Sequence, residues 1–187
     1  MKNLYADSRV SFLQACALLV VSVCVIVLRY PPFLLQPRMW AEESMYYETF
    51  FSNPSILDGF DSVVYPAYYL LISRIVGLLA SFVDPANAAL VTTLCGLIVL
   101  LVPLIIIIFG RSMYWSAMHQ KIILSAFLIF SCSTGEIWMN STNVGFIMSV
   151  VTFLILIDEN PGNYYKKSLY MLLLFFAILT GPISLLM

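Results

Sequence analysis

The sequence is short of charge. Lysine, arginine, aspartate and glutamate make up 10% of its 187 residues, against about 25% in an ordinary soluble domain. A disordered chain, which combines high charge with little apolar content, is excluded. Nine basic residues meet ten acidic ones with no basic cluster, which argues against nucleic-acid binding. One histidine, His119, and four cysteines stand at no ligand spacing, so a zinc site lacks donors and only a carboxylate-held divalent cation stays open. There is no glycine-rich phosphate loop and no Gly-x-Ser-x-Gly elbow. What abounds is apolar: 61% of the residues are hydrophobic. A globule of this size cannot hide that much, because about 150 residues bury only about 70% of the surface their chain exposes. The composition fits an all-α, polytopic transmembrane helix bundle.

Apolar runs mark the spans. Phe12 to Leu28 follows a tail with Lys2 and Arg9 and is not followed by a small-residue cleavage site, so it reads as an uncleaved first span. Ala88 to Phe109 is 22 residues without a charge, about 33 Å of helix at ~1.5 Å per residue. Pro103 within it is tolerated in a membrane helix. Three more runs complete a set of five spans over 11–30, 87–110, 119–135, 143–158 and 168–187, within one membrane domain covering residues 1–187. The four cysteines, Cys16, Cys24, Cys95 and Cys132, fall inside spans and read as small buried apolar residues.

The run from Tyr65 to Val83 decides the topology. As a full span it would place Arg111, Lys121, Lys166 and Lys167 outside, against the positive-inside rule, and would put Arg74 at bilayer depth. As an interfacial or re-entrant helix it leaves six of the nine basic residues on the cytoplasmic side, with the N-terminus. The loops 31–86 and 134–142 then face outward. Seven of the ten acids lie in them, five within 42–61.

These outer acids have two readings. They are ordinary solvated charge, or they form a site at the bilayer surface. The stretch Arg38 to Phe51 carries Trp40, Tyr47 and Phe51 at helical spacing, so one face can rest among the headgroups. Glu42 and Glu43 would then sit beside the bilayer, where a general base for a hydroxyl is suited to work. In the second loop Glu136, Asn140 and Asn143 can converge on them, whereas Ser141, Thr142 and Asn143 also suit a helix cap. Asn140-Ser141-Thr142 matches a glycosylation sequon but lies too near the membrane to be used. Arg74 is either a clamp for a lipid-linked phosphate or a snorkelling or ion-paired cation.

Trp40-Ala41-Glu42-Glu43 at the outer end of the first span resembles the start of GT-C superfamily membrane glycosyltransferases. The likeness is to bacterial enzymes of the O-antigen and cell-envelope type. Tyr65-Pro66-Ala67-Tyr68-Tyr69 followed by Arg74, the loop from Gly135-Glu136 to Asn143, and Gly181-Pro182 look like later family motifs. The family carries Asp where this chain has Glu43, and its members are longer. The resemblance therefore implies a GT-C-like N-terminal module, truncated at the C-terminus. It implies transfer of a sugar from a polyprenyl-phosphate donor to an envelope glycan acceptor on the outer face of the bacterial inner membrane. Glu43 or Glu42 would be the catalytic base, and Arg74, Glu136, Asn143, Tyr65 and Trp40 would bind substrate. The implied partners are the bilayer, donor and acceptor, with a flippase or a missing C-terminal portion. The competing reading is a non-enzymatic membrane subunit, such as a lipid-sugar flippase component or assembly partner, or an inactive fragment.

Overall fold

The computed structural model describes residues 10–29, 31–53, 55–62, 69–110, 112, 114–131, 139–158 and 164–181. Among them the chain is all-helical, with nine helices and no strand. These are α1 (Phe12–Arg29), α2 (Pro32–Leu35), α3 (Ala41–Ser52), α4 (Ile56–Asp61), α5 (Leu71–Ser81), α6 (Pro85–Phe109), α7 (Met118–Ser131), α8 (Val144–Leu156) and α9 (Tyr164–Thr180).

Two helices, α1 and α6, are long and apolar enough to cross a membrane. Asp84 occupies the N-cap position of α6 and Pro85 its first turn, where the missing N–H costs nothing. Pro103 lies inside α6 without ending it. At 25 residues α6 is about 38 Å long, more than the ~30 Å of a bilayer core. The helices α7, α8 and α9 are 14, 13 and 17 residues. The expected ends of the third and fifth spans, 132–135 and 182–187, lie outside the described residues, as does Cys132.

Contacts fix the directions. The ring of Phe12 lies 6.0 Å from that of Phe109, so α1 starts where α6 ends. Arg29, at the other end of α1, donates to the carbonyl of Ile129 on α7. Gly145 and Gly181 let the start of α8 meet the end of α9: a Cβ on Gly181 would lie 3.4 Å from Gly145 Cα. Ile26, Leu100, Leu104, Met148, Val151 and Ala177 are buried in one core between these helices.

The polar residues collect in two layers. At the C-terminal end of α6, Lys121 (4% exposed) donates to the carbonyls of Ile107, Ile108 and Gly110 at 2.8–2.9 Å. These are groups that a helix end leaves unsatisfied. Nearby, Asp158 Oδ2 accepts from Lys166 Nζ at 2.7 Å and Tyr170 OH at 2.5 Å, tying α8 to α9. The other layer surrounds Glu43 and meets α6 at Thr92. Thr92 and Ile108 stand about 24 Å apart along α6 at ~1.5 Å per residue. Substituting Lys121→Met is expected to destabilise the fold by about 2–3 kcal/mol, because buried carbonyls lose their donor. Thermal unfolding of the detergent-solubilised chain measures this, with exposed Lys167→Met as the unchanged control.

Two expectations change. Of the helix expected over 65–83, residues 65–68 lie outside the described residues, and the described part runs from Leu71 to Ser81. Leu70 adopts a left-handed φ of 50°, which no run of L-residues in a right-handed helix can contain. Eleven residues give about 16 Å, half a bilayer core. In α3 the buried stripe is Glu43, Tyr46 and Phe50, distinct from the Trp40, Tyr47, Phe51 set expected to face the headgroups. Tyr47 and Phe51 stack on each other at 5.3 Å, and Phe51 is exposed. Finally, Cys24 is exposed on α1 and Cys16 and Cys95 are only half-buried, because the outer faces of these helices carry small apolar residues as well.

Candidate functional site

The Glu43 layer is built from four segments. Glu43 stands in the first turn of α3, where its Oε2 accepts the Trp40 N–H at 3.1 Å. That satisfies one orphan donor of the helix start and places a negative charge at the positive end of the helix dipole. The side chain does not turn to solvent. Glu43 is 2% exposed, and its Oε1 accepts both the N–H of Ser141 at 2.7 Å and the Oγ–H of Ser141 at 2.8 Å. Thr92 Oγ1 on α6 lies 3.4 Å from Oε2 and 3.0 Å from the Ala89 carbonyl, so its single proton is shared.

Ser141 carries the layer onward, since its carbonyl accepts the Ser73 Oγ–H of α5 at 2.6 Å. Close backbone approach makes this possible. A Cβ on Gly96 of α6 would strike the backbone of Met139 and come within 2.8 Å of Asn140 N. A Cβ on Gly77 of α5 would sit 2.8 Å from Tyr46 Cβ and 2.9 Å from the Tyr46 carbonyl. Both glycines are there for lack of room, so α3, α5 and the 139–143 segment close on α6 as one unit.

Arg74 lies in the first turn of α5 and is 3% exposed. Its Nε donates to the Tyr69 carbonyl at 2.9 Å and its Nη1 to those of Gly59 and Phe60 at 3.1 and 2.9 Å. Its Nη2 donates to the Ser62 carbonyl at 2.7 Å. The guanidinium also lies 4.4 Å from the Tyr69 ring centroid and 6.0 Å from that of Tyr46. Four donor contacts to carbonyls make Arg74 the tie between α4 and α5, a use beside which the phosphate-clamp expectation has little left to draw on.

The remaining expected residues divide clearly. Glu42, next to Glu43, is half-exposed and has no hydrogen-bond partner among the described residues. Trp40 is half-buried under the Arg38 guanidinium, 4.9 Å from its ring. Asn143 occupies the N-cap position of α8. Asn140 is buried, with Oδ1 accepting the Thr142 N–H at 2.6 Å, which closes the sequon to modification. His119 is exposed at the start of α7, in the opposite layer. Tyr65 and Glu136 lie outside the described residues. Sequence reasoning missed Ser141 as a site residue, having weighed it only as a cap. The one signal in the chain was its place beside Asn140 in the loop expected to converge.

Among the described residues no group of three or more His, Cys, Asp or Glu side chains could hold a metal ion. Among the described residues, fold and layers together define an all-helical protein with two helices fit to cross a membrane and a buried glutamate, Glu43, packed against the N-terminal half of the longer. Protein-family models, curated proteins and solved structures offer no match to this chain.

Proposed function

We propose that the chain is a polytopic integral membrane protein and that the Glu43 layer is the sugar-transfer site of a GT-C-like glycosyltransferase module. One observation carries this reading. The Trp40–Glu43 motif and the 139–143 segment meet through Ser141 and Glu43, 98 residues apart in sequence, against the N-terminal half of α6. The exposed faces support the membrane setting. Ile123, Phe127 and Phe130 on α7 and Met171 and Phe175 on α9 form outward apolar surface that water does not tolerate at this extent. Lys121, Lys166 and Lys167 gather at the opposite pole with the start of α1, which by the positive-inside rule is cytoplasmic. The Glu43 pole then faces the outside of a bacterial inner membrane.

The chemistry falls to Glu42. Both Glu43 oxygens are engaged within the chain, whereas Glu42, which has no hydrogen-bond partner among the described residues, can turn its lone pairs to a substrate. Glu42 takes the proton of the acceptor hydroxyl as that oxygen bonds to the sugar C1. The C1–O bond to phosphate breaks, and polyprenyl phosphate leaves with the electron pair. A single displacement inverts C1. Glu43 holds the first turn of α3 in place, and the leaving phosphate is not assigned to Arg74.

In membranes containing the chain, supplied with a polyprenyl-phosphate sugar and an envelope glycan acceptor, Glu42→Gln is expected to lower the initial rate about 100-fold, the low end of general-base catalysis. Protein level in the membrane stays constant. Absence of transfer by the wild-type chain, or equal transfer by the variant, overturns the reading. The internal use of Glu43 and Arg74 favours the alternative of a non-enzymatic membrane subunit, which predicts the first of these outcomes.

A further inference from the structure

Every polar group of Ser141 is committed to another segment. Its N–H and Oγ–H both point at Glu43 Oε1, and its carbonyl accepts from Ser73. Among the described residues Oε1 has no other donor, while Oε2 has Trp40 and Thr92. Ser141 itself is 2% exposed. Its neighbours are fixed as well: Met139 holds a left-handed φ of 52° against Gly96, and Asn140 Oδ1 folds the chain back onto the Thr142 N–H. The segment is thus held from α3, α5 and α6 together. A capping serine would need none of this, and the N-cap position of α8 belongs to Asn143, two residues later.

Two donors converging on one carboxylate oxygen set the direction of that carboxylate. Glu43 and Glu42 are consecutive in the first turn of α3, so a rotation of that turn moves both. We infer that Ser141 is a positioning residue: through its paired hydrogen bonds to Glu43 it fixes the first turn of α3, and with it the direction in which Glu42 meets the acceptor hydroxyl. The inference rests on the transferase reading of the same site. Its expected size follows from geometry, since misplacing a reacting group by about 1 Å costs up to ~100-fold in rate.

The test is a double-mutant cycle on transfer by the membrane-embedded chain, with rates normalised to folded protein. Ser141→Ala is expected to lower kcat about tenfold with the donor KM within about twofold, the signature of an interaction that counts only in the transition state. Ser141→Thr, which keeps the hydroxyl, restores most of the rate. Combined with Glu43→Gln, Ser141→Ala adds no further loss, because its effect runs through Glu43. If Ser141→Ala does not accumulate, Ser141→Cys, a weaker donor of similar size, takes its place in the cycle. Additive losses, or a kcat per folded molecule equal to wild type, overturn the inference and leave the transferase reading standing. Absence of transfer by the wild-type chain removes both.

Discussion

Arg74→Lys lowers the stability of the chain by about 3–5 kcal/mol, the range found when a buried charge loses its partners. Lysine keeps the charge and most of the length, yet it cannot keep the geometry. The guanidinium reaches the carbonyls of residues 59, 60, 62 and 69 from one rigid plane. An ammonium offers three donors on one atom and cannot span the same set. At least one buried carbonyl is left without a donor, and the flat contact with the Tyr69 ring is lost. The effect reaches past α5, because Gly59 and Phe60 belong to α4, and Phe60 packs edge-on against Phe50 of α3 at 5.1 Å. Thermal unfolding in detergent and the protease sensitivity of 53–62 should change together. A lysine variant as stable as wild type would show that the carbonyls do not need the arginine.

Glu43→Gln has the second-largest effect on stability, an expected loss of about 2–4 kcal/mol. The substitution is nearly isosteric, so volume is not the cause. Ser141 N–H approaches one oxygen at 2.7 Å and Trp40 N–H the other at 3.1 Å. Whichever way the amide is turned, its NH2 faces a backbone N–H that cannot accept. One donor pair is therefore opposed, and a buried group goes unsatisfied. Glu48→Gln, exposed on the same helix, serves as control and is expected to change stability by less than about 0.5 kcal/mol. Unfolding of both variants under one condition provides the comparison, and equal curves would remove the anchoring role of Glu43.

The long helices were legible because they depend on local pattern. The charge-free run 88–109 lies within α6, and the first apolar run matches α1 to within a residue. The charges mark the helix carrying Arg74 as interfacial or re-entrant over 65–83, but its start after Leu70 was not legible, since no periodicity announces a left-handed residue. The face of α3 that packs on the protein was not readable from its own residues for a related reason. Its aromatics occupy several faces, and which face turns inward is decided by α5 through Gly77, a partner invisible to a helical wheel. Sequence reasoning sets Asn140 and Asn143 beside the Glu42–Glu43 stretch, but the atoms that join 139–143 to Glu43 belong to Ser141. Serine at position 141 suits a cap by every local rule, and its bond to Glu43 depends on how three distant helices pack.

That separation also sets a timetable. Glu43 is made 98 residues before the serine that anchors it. At about 5–20 residues per second of synthesis, the carboxylate waits for roughly 5–20 seconds without Ser141. During that interval α3 has no anchor on the 139–143 segment, and Glu43 Oε1 lacks both of its Ser141 donors while Oε2 already has Trp40. The site is therefore completed only after α7 has been made, while the contacts of α9 with α5 and α8 follow later still. A nascent chain halted before Ser141 would carry both glutamates with the Ser141 contacts still unmade.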